Sequence, residues 1–130
     1  MLSHVTLGTS DFPKALAFYS GLLPLLGLVL RFSDAEKGWA GWMRPDAPRP
    51  LFLVMRPFDG EAHHPGNGQM TALLAPDRAT VDRVHAHALA HGGTDEGAPG
   101  LRPWYHPNYY GAYFRDPDGN KLCVVCHDPV

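Results

Sequence analysis

Cys123-Val-Val-Cys126-His127 is the segment of this 130-residue chain whose residue types and spacing advertise chemistry most directly, because C-x-x-C-H is the pattern to which c-type haem attaches. Its neighbours argue against that chemistry. Leu122, Val124 and Val125 make the run after Gly119 a strand, in which successive side chains point to opposite faces. An odd separation therefore puts the thiols of Cys123 and Cys126 on opposite sides of a sheet, where they cannot share a metal and cannot readily grip one haem. A redox pair of thioredoxin type needs its thiols at a helix N-terminus, and no helix signal follows Cys126. No haem is expected. The plainer signal stands just ahead: Asp116-Pro-Asp-Gly119 is a turn between two β-rich runs, Tyr109–Arg115 and Lys121–Cys126, and predicts a hairpin.

A second group of chemically capable residues runs from Arg102 through Trp104, Tyr105, His106 and Asn108 to Tyr109, Tyr110 and Tyr113. Each aromatic offers an apolar body with a polar tip, the usual material of a ligand wall. Alternation places Tyr109, Gly111, Tyr113 and Arg115 on one face and Tyr110, Ala112 and Phe114 on the other. We expect Tyr110 and Phe114 to pack beneath a helix, Tyr109 and Tyr113 to face a cavity with Arg102 and Trp104, and His106 to sit at the rim. The other histidines suit a ligand role less well. His87 and His91 have i, i+4 spacing, but they lie on the polar flank of a Val81/Val84/Ala88 stripe and are expected to be solvated. His63 and His64 fall in a Pro/Gly-rich linker beside Glu61, and His127 follows the last strand, exposed.

The surrounding composition limits the setting. Eleven basic against thirteen acidic residues leave no field that favours nucleic acid or an anionic membrane surface. No apolar run approaches a membrane span. Two cysteines, and a start in which Met1-Leu-Ser-His4 passes straight into a strand pattern, fit a reducing cytoplasm. The length is that of one domain, and thirteen prolines with fourteen glycines predict many turns and short strands.

The elements that must position these residues come in two similar sets. At an offset of 66 residues, Leu7-Gly-Thr-Ser-Asp11 meets Leu73-Leu-Ala-Pro-Asp77, Ala15, Phe18 and Leu22 meet Val81, Val84 and Ala88, and Gly27 meets Gly93. Each half predicts a strand, an acidic N-cap, an amphipathic helix, a glycine stop and three more strand-like runs. In the first half these are Ser3–Gly8, a helix capped by Asp11 or Ser10 with stripe Leu16, Tyr19, Leu22 and Leu23, then runs near Leu28–Phe32, Trp39–Arg44 and Leu51–Arg56. In the second they are Gln69–Leu74, a helix capped by Asp77, a mostly irregular stretch Asp95–Trp104, and the hairpin. The chain is thus α+β, one domain of two βαβββ modules, about 1–57 and 68–130, joined by a linker at about 58–67. Neither module can hide its sheet alone, so the two are expected to pack around a shared cavity.

His4-Val-Thr-Leu7, Phe18-Tyr19 with the Leu26-Gly27 helix exit, Gly92-Gly93 and Arg115-Asp-Pro-Asp-Gly-Asn-Lys-Leu122 together resemble the vicinal oxygen chelate superfamily, which holds glyoxalase, bleomycin-resistance and extradiol-dioxygenase-like proteins. The resemblance covers essentially the whole chain. It implies a curled half-barrel, a homodimer, and a site of four inward strand positions that commonly hold a divalent metal. Carried over, those positions fall on His4, on Phe52 or Leu53, on Met70, and on Cys123 where the family usually has glutamate. Such a set has too few good donors for zinc or a harder divalent ion, though a soft ion such as Cu(I) is conceivable. The expected site is therefore a metal-free pocket for a small organic molecule, lined by His4, Thr6, Phe52, Met70, Arg102, Trp104, His106, Tyr109, Tyr113 and Cys123. In it His4 is the candidate general base. The alternative is a metal-dependent lyase or isomerase of glyoxalase type using His4, Cys123 and unconventional donors such as His106 or His63.

Overall fold

In the computed structural model, which describes all of residues 1–130, both modules form in the expected order. The first is β1 (His4–Gly8), α1 (Phe12–Leu22), β2 (Val29–Asp34), β3 (Trp39–Arg44) and β4 (Ala47–Met55). The second is β5 (Thr71–Leu74), α2 (Arg78–Ala90), β6 (Thr94–Leu101), β7 (Tyr110–Arg115) and β8 (Lys121–Cys126). Each makes a four-stranded mixed sheet, β1-β4-β3-β2 and β5-β8-β7-β6, in which the first strand runs parallel to the last. Asp11 and Asp77 accept from the backbone N–H groups of Lys14 and Thr80, supplying the two helix N-caps.

One core serves both modules. Leu7, Ala15, Phe18, Tyr19, Trp42 and Val54 of the first interdigitate with Val81, Val84, Phe114, Leu122, Val124 and Cys126 of the second. Phe18 meets Phe114 at 6.5 Å between ring centroids, and Tyr19 meets Phe52 at 5.2 Å. Both helices cover one face of the sheets, which leaves the opposite face for the site.

Three expectations are corrected. Asp95–Trp104 is not mostly irregular: Thr94–Leu101 is an edge strand paired antiparallel with β7, its register shifting around Gly97 and again before Gly100. An edge strand tolerates Pro99 and bulges that an interior one would not. Phe52 points into the core beside Tyr19 and Trp42, so Leu53 takes the site-facing position. His87 is half-buried against Gly21 of α1 and stacks on His91 at 3.9 Å, so the pair is not a freely solvated helix face. Burial, and then the neighbouring charge of His91, lower the His87 pKa.

Candidate functional site

The hairpin turn does more than reverse the chain. Asp116 is buried and accepts from the Tyr19 hydroxyl at 2.6 Å, and its other oxygen takes the backbone N–H groups of Asp118 and Asn120. Asn120 donates through Nδ2 to Gly8 O and to Asp116 Oδ2, both at 2.9 Å, while Ser10 N–H donates to Asp118 Oδ1. The turn thus fastens the β7–β8 end of module two to the β1–α1 loop of module one. Gly119 holds φ +89, a left-handed conformation that most side chains would strain.

His63 is fixed by the same fastening. Its backbone N–H donates to Ser10 Oγ at 2.7 Å, and its Nε2 lies 2.7 Å from Asn120 Oδ1. The imidazole fills the space that a side chain at Gly8 would take, since a Cβ there would lie 2.2 Å from His63 Nδ1. The linker therefore supplies a residue to the sheet surface, which composition alone does not reveal.

On the face away from the helices, β7 and β8 carry a compact polar cluster. The Tyr109 and Tyr113 hydroxyls are 3.0 Å apart, and Tyr109 Oη lies 3.5 Å from Cys123 Sγ. Cys123 belongs to this face, whereas Cys126 packs within the core, and both are free thiols. Burial pushes the Cys123 thiol and both phenols up, Tyr109 furthest, so all three are neutral at physiological pH. They are hydrogen-bond donors, not nucleophiles. Backbone bonding between Arg102 N–H and Tyr109 O closes the loop that presents Tyr109. The Arg102 guanidinium, anchored on Ala98 O and Gly100 O, lies 5.5 Å from the Tyr113 ring centroid, and the Lys121 ammonium lies 5.7 Å from it. Neither cation has a carboxylate partner.

The helix-free face of module one is mostly apolar, with Ser33 and Asp34 also lining it. Phe32, Trp39, Leu53 and Met55 line an open cleft of about 610 Å³. Thr6, paired in register with Leu53, connects this wall to a smaller seam pocket that it shares with His63, Met70 and Lys121.

The structure therefore brings Arg102, Tyr109, Tyr113 and Cys123 into one cluster, and Thr6 and Met70 into the seam pocket. His4 is exposed and bonded through Nδ1 to Ser3 Oγ at 2.9 Å. His106 stacks on His127, their Nε2 and Nδ1 atoms 2.8 Å apart, and both rings rest against Tyr109 at the rim. Trp104 remains 71% exposed and reaches the cluster only through Tyr105. Lys121, two positions before Cys123 on the same face, was legible from alternation and is the cation beside this cluster that the motif reading passed over.

The family's four metal positions become His4, Leu53, Met70 and Cys123. An imidazole, an alkyl group, a thioether and a thiol whose pKa is raised do not make a donor set for a hard or borderline divalent ion. No three His, Cys, Asp or Glu side chains converge anywhere in the chain. The residues do not fit the family's metal.

Paired βαβββ modules, the Asp116–Asn120 turn and a site on the helix-free face define a glyoxalase-like fold. The chain belongs to the Glyoxalase/Bleomycin resistance protein/Dioxygenase superfamily, whose family model matches residues 1–124. It is similar to a glyoxalase/bleomycin resistance protein from Albidiferax ferrireducens T118, with 34% identity, 97% of this chain and 98% of that one covered, and a TM-score of 0.86. Two more distant structures share the fold. One is a glyoxalase/bleomycin resistance protein/dioxygenase family enzyme from Burkholderia phytofirmans PsJN, with 20% identity, 97% and 98% coverage and a TM-score of 0.71. The other is a glyoxalase-related enzyme from Fulvimarina pelagi, with 17% identity, 97% and 87% coverage and a TM-score of 0.72. A comparison with curated proteins gave no match. No helix is long and apolar enough to cross a membrane.

Proposed function

We propose that this chain binds a small organic molecule on its helix-free face without a family-type metal. The observation that carries the reading is the Tyr109–Tyr113–Cys123 cluster, three neutral polar groups held together beside two cations that have no carboxylate partner. Burying hydroxyls without a ligand is costly unless they bond one another, and here two bonds serve three protons, so the cluster keeps one proton and hydroxyl lone pairs to direct outward. The complementary ligand has an apolar or aromatic body for Phe32, Trp39 and Leu53, and a carbonyl, phenolate or carboxylate end for the phenols and Arg102. Where chemistry follows binding, the phenols stabilise an oxyanion by donating to it, and Cys123 supports Tyr109 without attacking substrate.

The cytoplasm is the proposed setting, and a homodimer the proposed assembly; exposed Val29 and Leu30 along β2 support the latter. The test is a thermal-shift screen of aromatic carboxylates and carbonyl compounds on untagged protein, run beside elemental analysis. Stabilisation that is lost in Tyr113→Phe, with no stoichiometric metal, is the expected result. Stoichiometric tight metal lost in His4→Ala would overturn the reading.

A further inference from the structure

The seam between the modules holds a second site whose polarity can be read atom by atom. Asn120 fixes the reading. Its Nδ2 faces Gly8 O, a carbonyl that can only accept, so the amide orientation is settled and Oδ1 faces His63. An amide oxygen can only accept in turn, so His63 Nε2 must carry the proton. In that tautomer the lone pair is on Nδ1, which has no partner within the chain. Nδ1 lies over Gly8, in the space left by the missing side chain and on the face of β1 that carries Thr6.

The pocket around it measures about 100 Å³ and includes Lys121, which has no carboxylate partner, the Thr6 hydroxyl and the Gln69 amide. No acidic side chain lines it. The site thus offers one cation, one lone-pair acceptor and two neutral polar groups. Sulfate, whose oxygens only accept near neutral pH, would set an oxygen against the Nδ1 lone pair, and hydrogen phosphate, which has a proton to give, would bring up to two negative charges to a single cation. A neutral apolar molecule would leave Lys121 and Nδ1 unanswered. The chemistry matched by both ends is a small molecule bearing an anionic carboxylate and, close by, a hydroxyl proton to give.

We infer that the seam pocket formed by Lys121, His63 and Thr6 is a binding site for a small hydroxycarboxylate, whose carboxylate pairs with the Lys121 ammonium and whose hydroxyl donates to His63 Nδ1. The site lies beyond the phenol–thiol cluster and shares only Lys121 with it.

The test is imidazole ¹⁵N NMR of the full chain at fixed pH, with glycolate as the probe and acetate as its hydroxyl-free control. The free protein is expected to show His63 as the Nε2–H form. Glycolate should move the Nδ1 resonance saturably toward that of a hydrogen-bonded acceptor, and acetate should leave it in place. In Lys121→Met, glycolate should bind at least about tenfold more weakly, the size of one charge-assisted hydrogen bond. A proton on Nδ1 in the free protein, an Nδ1 resonance indifferent to glycolate, or equal glycolate affinity in Lys121→Met would each overturn the proposal. The aromatic screen of the Phe32–Trp39 cleft and the phenol cluster reads a different set of ligands, so its failure and this one are separable.

Discussion

Tyr19 and Asp116 stand 97 residues apart and meet in a buried hydrogen bond of 2.6 Å, the phenol donating to Oδ2. Tyr19 is on α1 and Asp116 opens the β7–β8 turn, so this bond ties the helix of one module to the hairpin of the other. Desolvation by burial, with the carboxylate beside it, holds the Tyr19 phenol well above its usual range, and it remains a donor. Tyr19→Phe keeps the ring packing against Phe52 and Trp42 but leaves the carboxylate one donor short. We expect a loss of about 1–3 kcal/mol in chemical denaturation, the ordinary penalty for an underpaired buried acceptor. A loss below about 0.5 kcal/mol would show that Asn120 and water replace the phenol fully.

Asp116 also sets a pH dependence. Burial raises its pKa above the usual carboxylate value, against the lowering effect of its hydrogen bonds. The folded state therefore holds this proton to higher pH than the unfolded state does. Linkage then makes the contribution of Asp116 to stability fall as pH rises from the ordinary aspartate pKa through the raised one. Asp116→Asn is destabilised overall, but it lacks this titration. Urea midpoints of the two proteins should lie furthest apart at the acid end of that window and converge as pH rises through it. A constant separation would mean that the Asp116 pKa is the same in both states.

The apolar wall gives a prediction with little stability content. A Cβ at Gly41 would lie 2.6 Å from Phe32 Cε1 and 2.7 Å from Leu53 Cδ2, both ends of side chains on the open cleft. Phe32 is 37% exposed and free to give way outward. Gly41→Ala should leave the unfolding midpoint within about 1 kcal/mol of the wild type, while aromatic ligands found in the screen lose about tenfold in affinity, or 1.4 kcal/mol. Calorimetry checks this. Unchanged affinity would move the aromatic body of the ligand off the Phe32 wall.

How much of this was legible in the sequence differs from residue to residue, for physical reasons. Tyr109, Tyr113 and Cys123 were placed on one face because alternation in β7 and β8 is regular and polar tips mark the open side. Phe52 was misplaced because Leu51-Phe-Leu-Val-Met55 is apolar at every position, and a run without period-two contrast does not say which face is buried. Strand β6 was hidden by Gly97, Pro99 and Gly100, whose local preferences are overridden by pairing with β7. His63 could not be placed because its partners, Ser10 and Asn120, are 53 and 57 residues away, and no local pattern encodes that contact.

The two cysteines supply a direct test of strand alternation. Cys123 lies beneath Tyr109 on the helix-free face, while Cys126 lies in the core with Leu122 and Val124, and neither is exposed. Burial raises the Cys123 thiol pKa, which leaves little thiolate to react at pH 8. Iodoacetamide should therefore label neither thiol in the native wild type and both after unfolding in urea. Tyr109→Ala removes the ring covering Cys123 but nothing that covers Cys126, whose neighbours are contributed by the helix side of the sheet. Peptide mapping of that variant should find Cys123 alkylated and Cys126 protected, with labelling that outpaces global unfolding. Equal labelling of both thiols would mean that access comes only through opening of the whole strand, and would remove the argument that β8 divides them between site and core.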